Sequence, residues 1–346
     1  MSIQSHRLHR QAARRAHPIA AFVAGSAAIG LLALGAGGCS MSDEQEAHGA
    51  SAEMQPDSFT FAPPDGTRGV RTEHRRYEVS LVGTPLRNLE EQELRWNIQS
   101  SRSGDEFTVN QELAHVTMKH DGLPVVDRDV APGAVVAQLI IDKAGNLVDV
   151  KGLEATSKTL GALLPPDSGP AAERTVSPQG LKALVATRYE QTLGDIVGRA
   201  TKPGTSWTTQ GRPGGAVISR TITVGRTEPC GATMCTDLQA LYKLNPRTML
   251  SAADAMVARY ARWAGQAPSK LNVQTAMYSM QGTLLTEAAT MVNHTDSLDE
   301  TGKVLFDGPK HAMEIDLDGK TEISFEYAKP VASAAPTPAA PVAARP

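Results

Sequence analysis

Three cysteines carry the most accessible chemistry in this chain: Cys39, Cys230 and Cys235. Cys39 follows Gly37-Gly38 at the end of an uncharged stretch that begins at Ile19, and small residues directly before a cysteine form a processing site. A cysteine exposed as a new N-terminus can be acylated. Cys230 and Cys235 are separated by Gly231-Ala232-Thr233-Met234. In an oxidising compartment an even pair at this spacing predicts a disulfide that staples a turn, and its short loop limits the stabilisation to about 2 kcal/mol. A redox site would want Cys-x-x-Cys, and a zinc site would need two more ligands nearby, so no metal site is expected.

The remaining chemical signals fail on spacing. His115 and His120 are five residues apart in a strand-like run, which places their side chains on opposite faces. His74, His294 and His311 are isolated in the sequence. Gly319-Lys320-Thr321 resembles the end of a phosphate-binding loop, but Glu314 stands where that loop needs a glycine. Asp316-x-Asp318-Gly319 resembles the start of a calcium loop, yet its glycine comes too early and the later ligands are missing. A solvated turn explains both better. The chain has neither a Gly-x-Ser-x-Gly elbow nor a His-Glu-x-x-His helix. A non-enzymatic protein without a cofactor is the expectation.

The N-terminal segment sets the compartment. Residues 1–17 contain Arg7, Arg10, Arg14 and Arg15 and no acid, and no charge occurs from Ile19 to Gly38. A basic region, an apolar region and a small-residue processing site are the parts of a bacterial signal peptide. The many glycines and alanines make this segment a poor spanning helix, because bilayer preference rests on Leu, Ile, Phe and Val. Removing residues 1–38 takes four arginines from 34 basic residues, which leaves 30 against 37 acidic ones and a net charge of −7. Nucleic acid would want clustered Lys and Arg, so it is not an expected partner.

The elements that must position any site are mostly strands. Leu94, Trp96 and Ile98 alternate with Arg95, Asn97 and Gln99, and Ser103-Gly104 turns the chain into the run Glu106–His120. Val135–Ile141 is nearly continuous apolar, Gly145-Asn146 follows as a turn, and Leu147–Leu153 returns. Ile218, Ile222 and Val224 mark another strand and Leu238–Leu244 the next. Near the end, Met313, Ile315 and Leu317 lead into Asp318-Gly319, and Ile323, Phe325 and Tyr327 follow. Asp-Gly between alternating runs predicts a hairpin, with Glu314, Asp316, Glu322 and Glu326 facing water. Two helices interrupt the strands. One opens at Ser177-Pro178 and carries Leu181, Leu184, Val185, Leu193, Ile196 and Val197. The other opens at Ser251 and carries Met256, Val257, Tyr260 and Trp263.

This order predicts an α+β fold: a large curved antiparallel sheet, half-barrel-like, packed by two main helices. The expected organisation is a signal peptide (1–38), a disordered tether (39–72), one exported domain (73–328) and a disordered Ala/Pro-rich tail (329–346).

Two resemblances extend this reading. The segment ending Ala36-Gly37-Gly38-Cys39 resembles a bacterial lipoprotein signal, which implies that Cys39 is the lipidated first residue, a palmitate acceptor. By the family's sorting rule, Ser40 after the cysteine implies the periplasmic face of the outer membrane. In element order, about residues 73–328 resemble the LolA- and LppX-type lipoprotein and lipid carriers. The segment Lys202-Pro203-Gly204-Thr205-Ser206-Trp207 also resembles a turn of exported bacterial proteins. Together these imply a lipid-anchored envelope protein that binds a hydrophobic small molecule or another envelope protein. The alternatives are an interaction lipoprotein with a filled core and, behind it, an envelope hydrolase.

Overall fold

The computed structural model describes residues 56–163, 169–211, 218–230, 233–247, 249–250, 253–254, 257, 272–308 and 311–328. The signal segment, Cys39 and the Ala/Pro-rich tail lie outside the described residues.

Strand periodicity dictates the architecture. In β2 (Arg87–Ser103) Leu94, Trp96, Ile98 and Ser100 are buried while Arg95, Asn97 and Gln99 are exposed. Its neighbour β3 (Glu106–His120) buries odd residues up to Leu113 and even ones from Val116 onward. A bulge at Ala114 makes the change: Arg95 pairs with His115 but Trp96 pairs with Leu113, so one extra residue is absorbed. The remaining strands are β1 (Arg68–Leu81), β4 (Leu123–Asp129), β5 (Val136–Asp142), β6 (Leu147–Lys151), β7 (Ser206–Gly211), β8 (Ile218–Cys230), β9 (Thr233–Leu244), β10 (Val273–Thr286), β11 (Asn293–Asp307) and β12 (Ala312–Tyr327).

Together they form an open, curved, antiparallel sheet of 12 strands in the order β6-β5-β3-β2-β1-β12-β11-β10-β9-β8-β7, with β4 paired to β3. The first and last strands pair at the centre, and β6 and β7 are the two edges. The chain therefore passes from one edge to the other between β6 and β7. That crossing is made by α1 (Leu153–Leu163), α2 (Gly169–Val176), α3 (Pro178–Tyr189) and a π-helical turn (Glu190–Gly194), which roof one end of the inner face. The chain is α+β, as its pattern of elements predicts. No helix among the described residues is long and apolar enough to cross a membrane.

The cap of α3 forms as its sequence dictates. The Ser177 hydroxyl accepts from the Gly180 N–H at 3.1 Å, and Pro178 takes the first helical position. Leu181, Val185 and Tyr189 then fall four residues apart and are fully buried. The Tyr189 hydroxyl donates to the Gly145 carbonyl at 2.6 Å, which ties the helix to the β5–β6 turn.

Three expectations need correction. The first is the Asp318-Gly319 hairpin: β12 runs unbroken through both residues, pairing with β1 on one side and β11 on the other. Gly319 is needed for close approach rather than for a turn. A Cβ there would lie 2.9 Å from the Tyr77 ring. Because the strand is continuous, Met313, Ile315, Leu317, Ile323, Phe325 and Tyr327 still share one face by alternation.

The second correction is helical. Leu153 begins α1 rather than ending a strand, because Gly152 turns the chain with a φ of +79°. The sheet is thus roofed by three described helices in one crossing. Of the helix expected from Ser251, only Ala253, Asp254 and Val257 are among the described residues, and all three are helical.

The third concerns the stretch expected as a tether. Phe59 and Phe61 are buried core residues, the Phe59 N–H donates to the Arg199 carbonyl at 2.9 Å, and β1 opens at Arg68. The Pro- and Gly-containing composition hides two aromatic anchors spaced two apart.

Candidate functional site

The inner face of the sheet is divided along its length. A large apolar cluster beneath the helices contains Trp96, Leu139, Leu181, Tyr189, Ile323 and Phe325. A smaller cluster contains Leu81, Val304, Phe306 and Ile315, closed by Ala253 and Val257. Between them lies a polar belt built from the same strands.

The belt begins on β1, where Arg71, Glu73, Arg75 and Tyr77 follow at every second residue and so share the inner face. Arg71 and Glu73 have no exposed side-chain surface, and their charges meet at 3.3 Å. Arg71 also donates to the Gln111 amide oxygen at 3.2 Å and lies 4.9 Å above the Trp96 ring. Burial pulls the Arg71 guanidinium down to about 10, with Glu73 opposing that shift. Arg75 bonds the other oxygen of Glu73. A buried carboxylate held between two guanidiniums is the kind of pairing that buried charge requires.

One row further along, Tyr77 and Tyr278 both donate to the same oxygen of Glu300, the latter at 2.6 Å. Each ring crosses a strand at a glycine. Tyr77 lies over Gly319, and a Cβ at Gly302 would come within 3.2 Å of Tyr278. Burial, followed by the Glu300 charge, pushes both phenols well above their ordinary range, so they stay protonated donors. On the helix side, Arg188 of α3 sits 3.9 Å from Asp296, and Arg220 sits 3.4 Å from Asp195. Burial raises Asp296 to about 6, against the opposing pull of Arg188.

Beside the belt, Tyr242, Met280 and Leu298 on β9, β10 and β11 point to the same inner face and are only half-buried. The result is a half-exposed apolar patch beside a row of hydrogen-bonding side chains. Two grooves, of about 240 and 590 Å³, are lined chiefly by polar residues of the outer face, such as His74, Lys320 and Glu322 in the first and Arg76, Glu78 and Lys303 in the second.

Cys230 and Cys235 lie at the end of the β8–β9 hairpin and are joined by a disulfide with Cα atoms 5.7 Å apart. His294 is close to them. Its Nε2 is 3.0 Å from Glu287, whose carboxylate also accepts from Thr233 at 2.9 Å and Thr290 at 2.6 Å. Burial alone would raise Glu287; the three hydrogen bonds hold it below its ordinary value. His115 meets Asp129 at 2.9 Å and Asp127 at 3.1 Å on the outer face, while Val116 and Met118 turn inward.

The sequence gives little warning of the belt. Arg71, Glu73 and Arg75 alternate with Thr72, His74 and Arg76, so both faces of β1 are polar and no amphipathic period marks the inner one. The single available signal is the pair of mid-strand glycines, Gly302 and Gly319.

No family model and no curated protein sequence matches the chain. Among solved structures, it is similar to a structure describing lipid–protein interactions in lipovitellin, with a TM-score of 0.39 and 10% identity over 79% of this chain. The chain spans only 26% of lipovitellin's length. A Bacteroides fragilis protein with a YmcC-like fold shares 13% identity over 79% of this chain and 100% of its own, with a TM-score of 0.24. A β-barrel-like protein of unknown function from Brucella abortus shares 9% over the same fractions, with a TM-score of 0.20. At such scores these likenesses carry no argument about function.

Proposed function

We propose that this chain is a lipid-anchored protein of the bacterial cell envelope, held by Cys39 at the periplasmic face of the outer membrane, and that its sheet binds a hydrophobic ligand without transforming it. The anchor rests on the charge-free segment ending at Gly38-Cys39. The ligand rests on one structural observation: Tyr242, Met280 and Leu298 are half-exposed on the inner face of the sheet, outside both buried apolar clusters. Apolar side chains on a concave surface, beside a few fixed polar groups, are the usual lining of a small-molecule site. The Tyr77–Glu300–Tyr278 group and Arg75 then offer hydrogen bonds to a polar head, so an amphiphile fits better than a plain hydrocarbon.

Native mass spectrometry of the protein purified from membranes tests this. A lipid-sized adduct is expected on the wild type and its loss on Met280→Asp, with circular dichroism confirming that this variant is folded, because its new carboxylate faces Glu300 across the strand pair. A wild type that carries no adduct, and gains none from envelope lipid extract, would overturn the ligand reading and support an interaction lipoprotein with a filled core.

A further inference from the structure

The disulfide at the β8–β9 hairpin has the surroundings of a metal site. A zinc site built on Cys230 and Cys235 would need further ligands, and the fold brings one to them from a distant strand. Both sulfurs and one ring nitrogen of His294 lie within 4.8 Å of one another, and all three residues are buried. Behind the histidine, Glu287 bonds Nε2 at 3.0 Å and is itself fixed by the hydroxyls of Thr233 and Thr290. Because that carboxylate already accepts two hydroxyl bonds, it takes its third from an Nε2–H. With Nε2 engaged by the carboxylate, Nδ1 is the ring nitrogen left for a metal. A carboxylate orienting a histidine in this way is the usual outer support of a metal ligand.

We propose that the reduced form of this hairpin binds a soft divalent d¹⁰ cation, with Zn²⁺ as the working case, and that the disulfide is the metal-free state of the same site. Cys230, Cys235 and His294 are the ligands, Glu287 is a positioning residue, and the fourth tetrahedral place is open to water. A dithiol reductant must supply the two electrons: the S–S bond breaks, two thiols form with two protons, and the reductant leaves as its own disulfide. Zinc then displaces both thiol protons. Tetrahedral zinc holds two sulfurs about 3.8 Å apart, given Zn–S bonds of about 2.3 Å. The sulfurs must therefore move apart, but by a side-chain rotation rather than a change of strand register. The Cys230 and Cys235 backbones sit at the end of a two-stranded hairpin, where such adjustment is least costly.

The test uses the whole protein with Cys39→Ala, so that no other thiol contributes. After phosphine reduction and removal of metal, Zn²⁺ is titrated against a chromophoric chelator, and Co²⁺ is used as a spectroscopic probe. One equivalent should bind the reduced protein, with thiolate-to-cobalt charge-transfer bands and tetrahedral d–d bands. The oxidised protein should bind none at the same concentration. His294→Ala should weaken zinc at least a hundredfold, and Glu287→Gln about ten- to a hundredfold. Near-UV circular dichroism of each reduced variant checks that the sheet persists. Reduced wild type that is folded but binds zinc no better than His294→Ala would overturn the site. So would a cobalt spectrum with no tetrahedral bands, or a reduced wild type that has lost its fold.

Discussion

The two halves of β12 look alike and do different work. Residues Met313–Leu317 and Ile323–Tyr327 both alternate apolar and polar residues, and both turn their apolar side chains inward. The second half sinks into the large cluster roofed by α1–α3, where Phe325 and Tyr327 stack with ring centroids 6.1 Å apart. The first half belongs to the small cluster, and the half-exposed patch of Tyr242, Met280 and Leu298 belongs to neither. The difference comes from what covers each half rather than from the strand itself. At Gly319, between them, the chain trades side-chain packing for room, and Tyr77 crosses there to reach Glu300.

The largest expected effect is at the covered end. Phe325→Ala should cost about 3–5 kcal/mol of folding stability through cavity formation, read by chemical denaturation, and should leave ligand retention intact. If ligand is lost while stability hardly changes, the site lies under the helices and the two ends have been assigned the wrong way round.

Gly319→Ala comes next. The added methyl would meet the Tyr77 ring at 2.9 Å, so overpacking should cost about 1–3 kcal/mol. In a Tyr77→Ala background most of that cost should vanish, a coupling that a double-mutant cycle measures. A cost independent of Tyr77 would point to backbone strain and revive the hairpin.

That residue also shows how far the sequence could be read. The alternating runs place the β2 and β12 side chains on their proper faces, and Ser177-Pro178 marks the start of α3, because these signals are local. Asp318-Gly319 misleads because glycine serves two purposes, a turn and a close approach, and which one applies is set by Tyr77 from another strand. The charged belt was invisible for a related reason. Arg71 and Glu73 are satisfied by each other and by Gln111 on β3, and such compensation leaves no periodic trace in β1 itself.

A smaller effect should appear with pH. Burial raises Asp296 to about 6 from an ordinary 3.8, so the folded protein binds this proton more tightly than the unfolded chain does. Its contribution is fully present below about pH 4 and is lost as the pH rises through about 6. Asp296 is one-fifth exposed, so the loss should be about 1–2 kcal/mol. In Asp296→Asn that part of the slope between pH 4 and 6 should be missing. An unchanged slope would mean that Arg188 keeps the carboxylate ionised throughout.

Hydrogen exchange, compared between ligand-loaded and delipidated protein, tests the central claim most directly. Added protection is expected in β9 around Ala240–Tyr242, in β10 around Tyr278–Met280 and in β11 around Leu298–Glu300, with Ile323–Tyr327 of β12 unchanged. Protection that rises in Ile323–Tyr327 or in α3, or that rises nowhere, would contradict a ligand held on the inner-face patch of Tyr242, Met280 and Leu298.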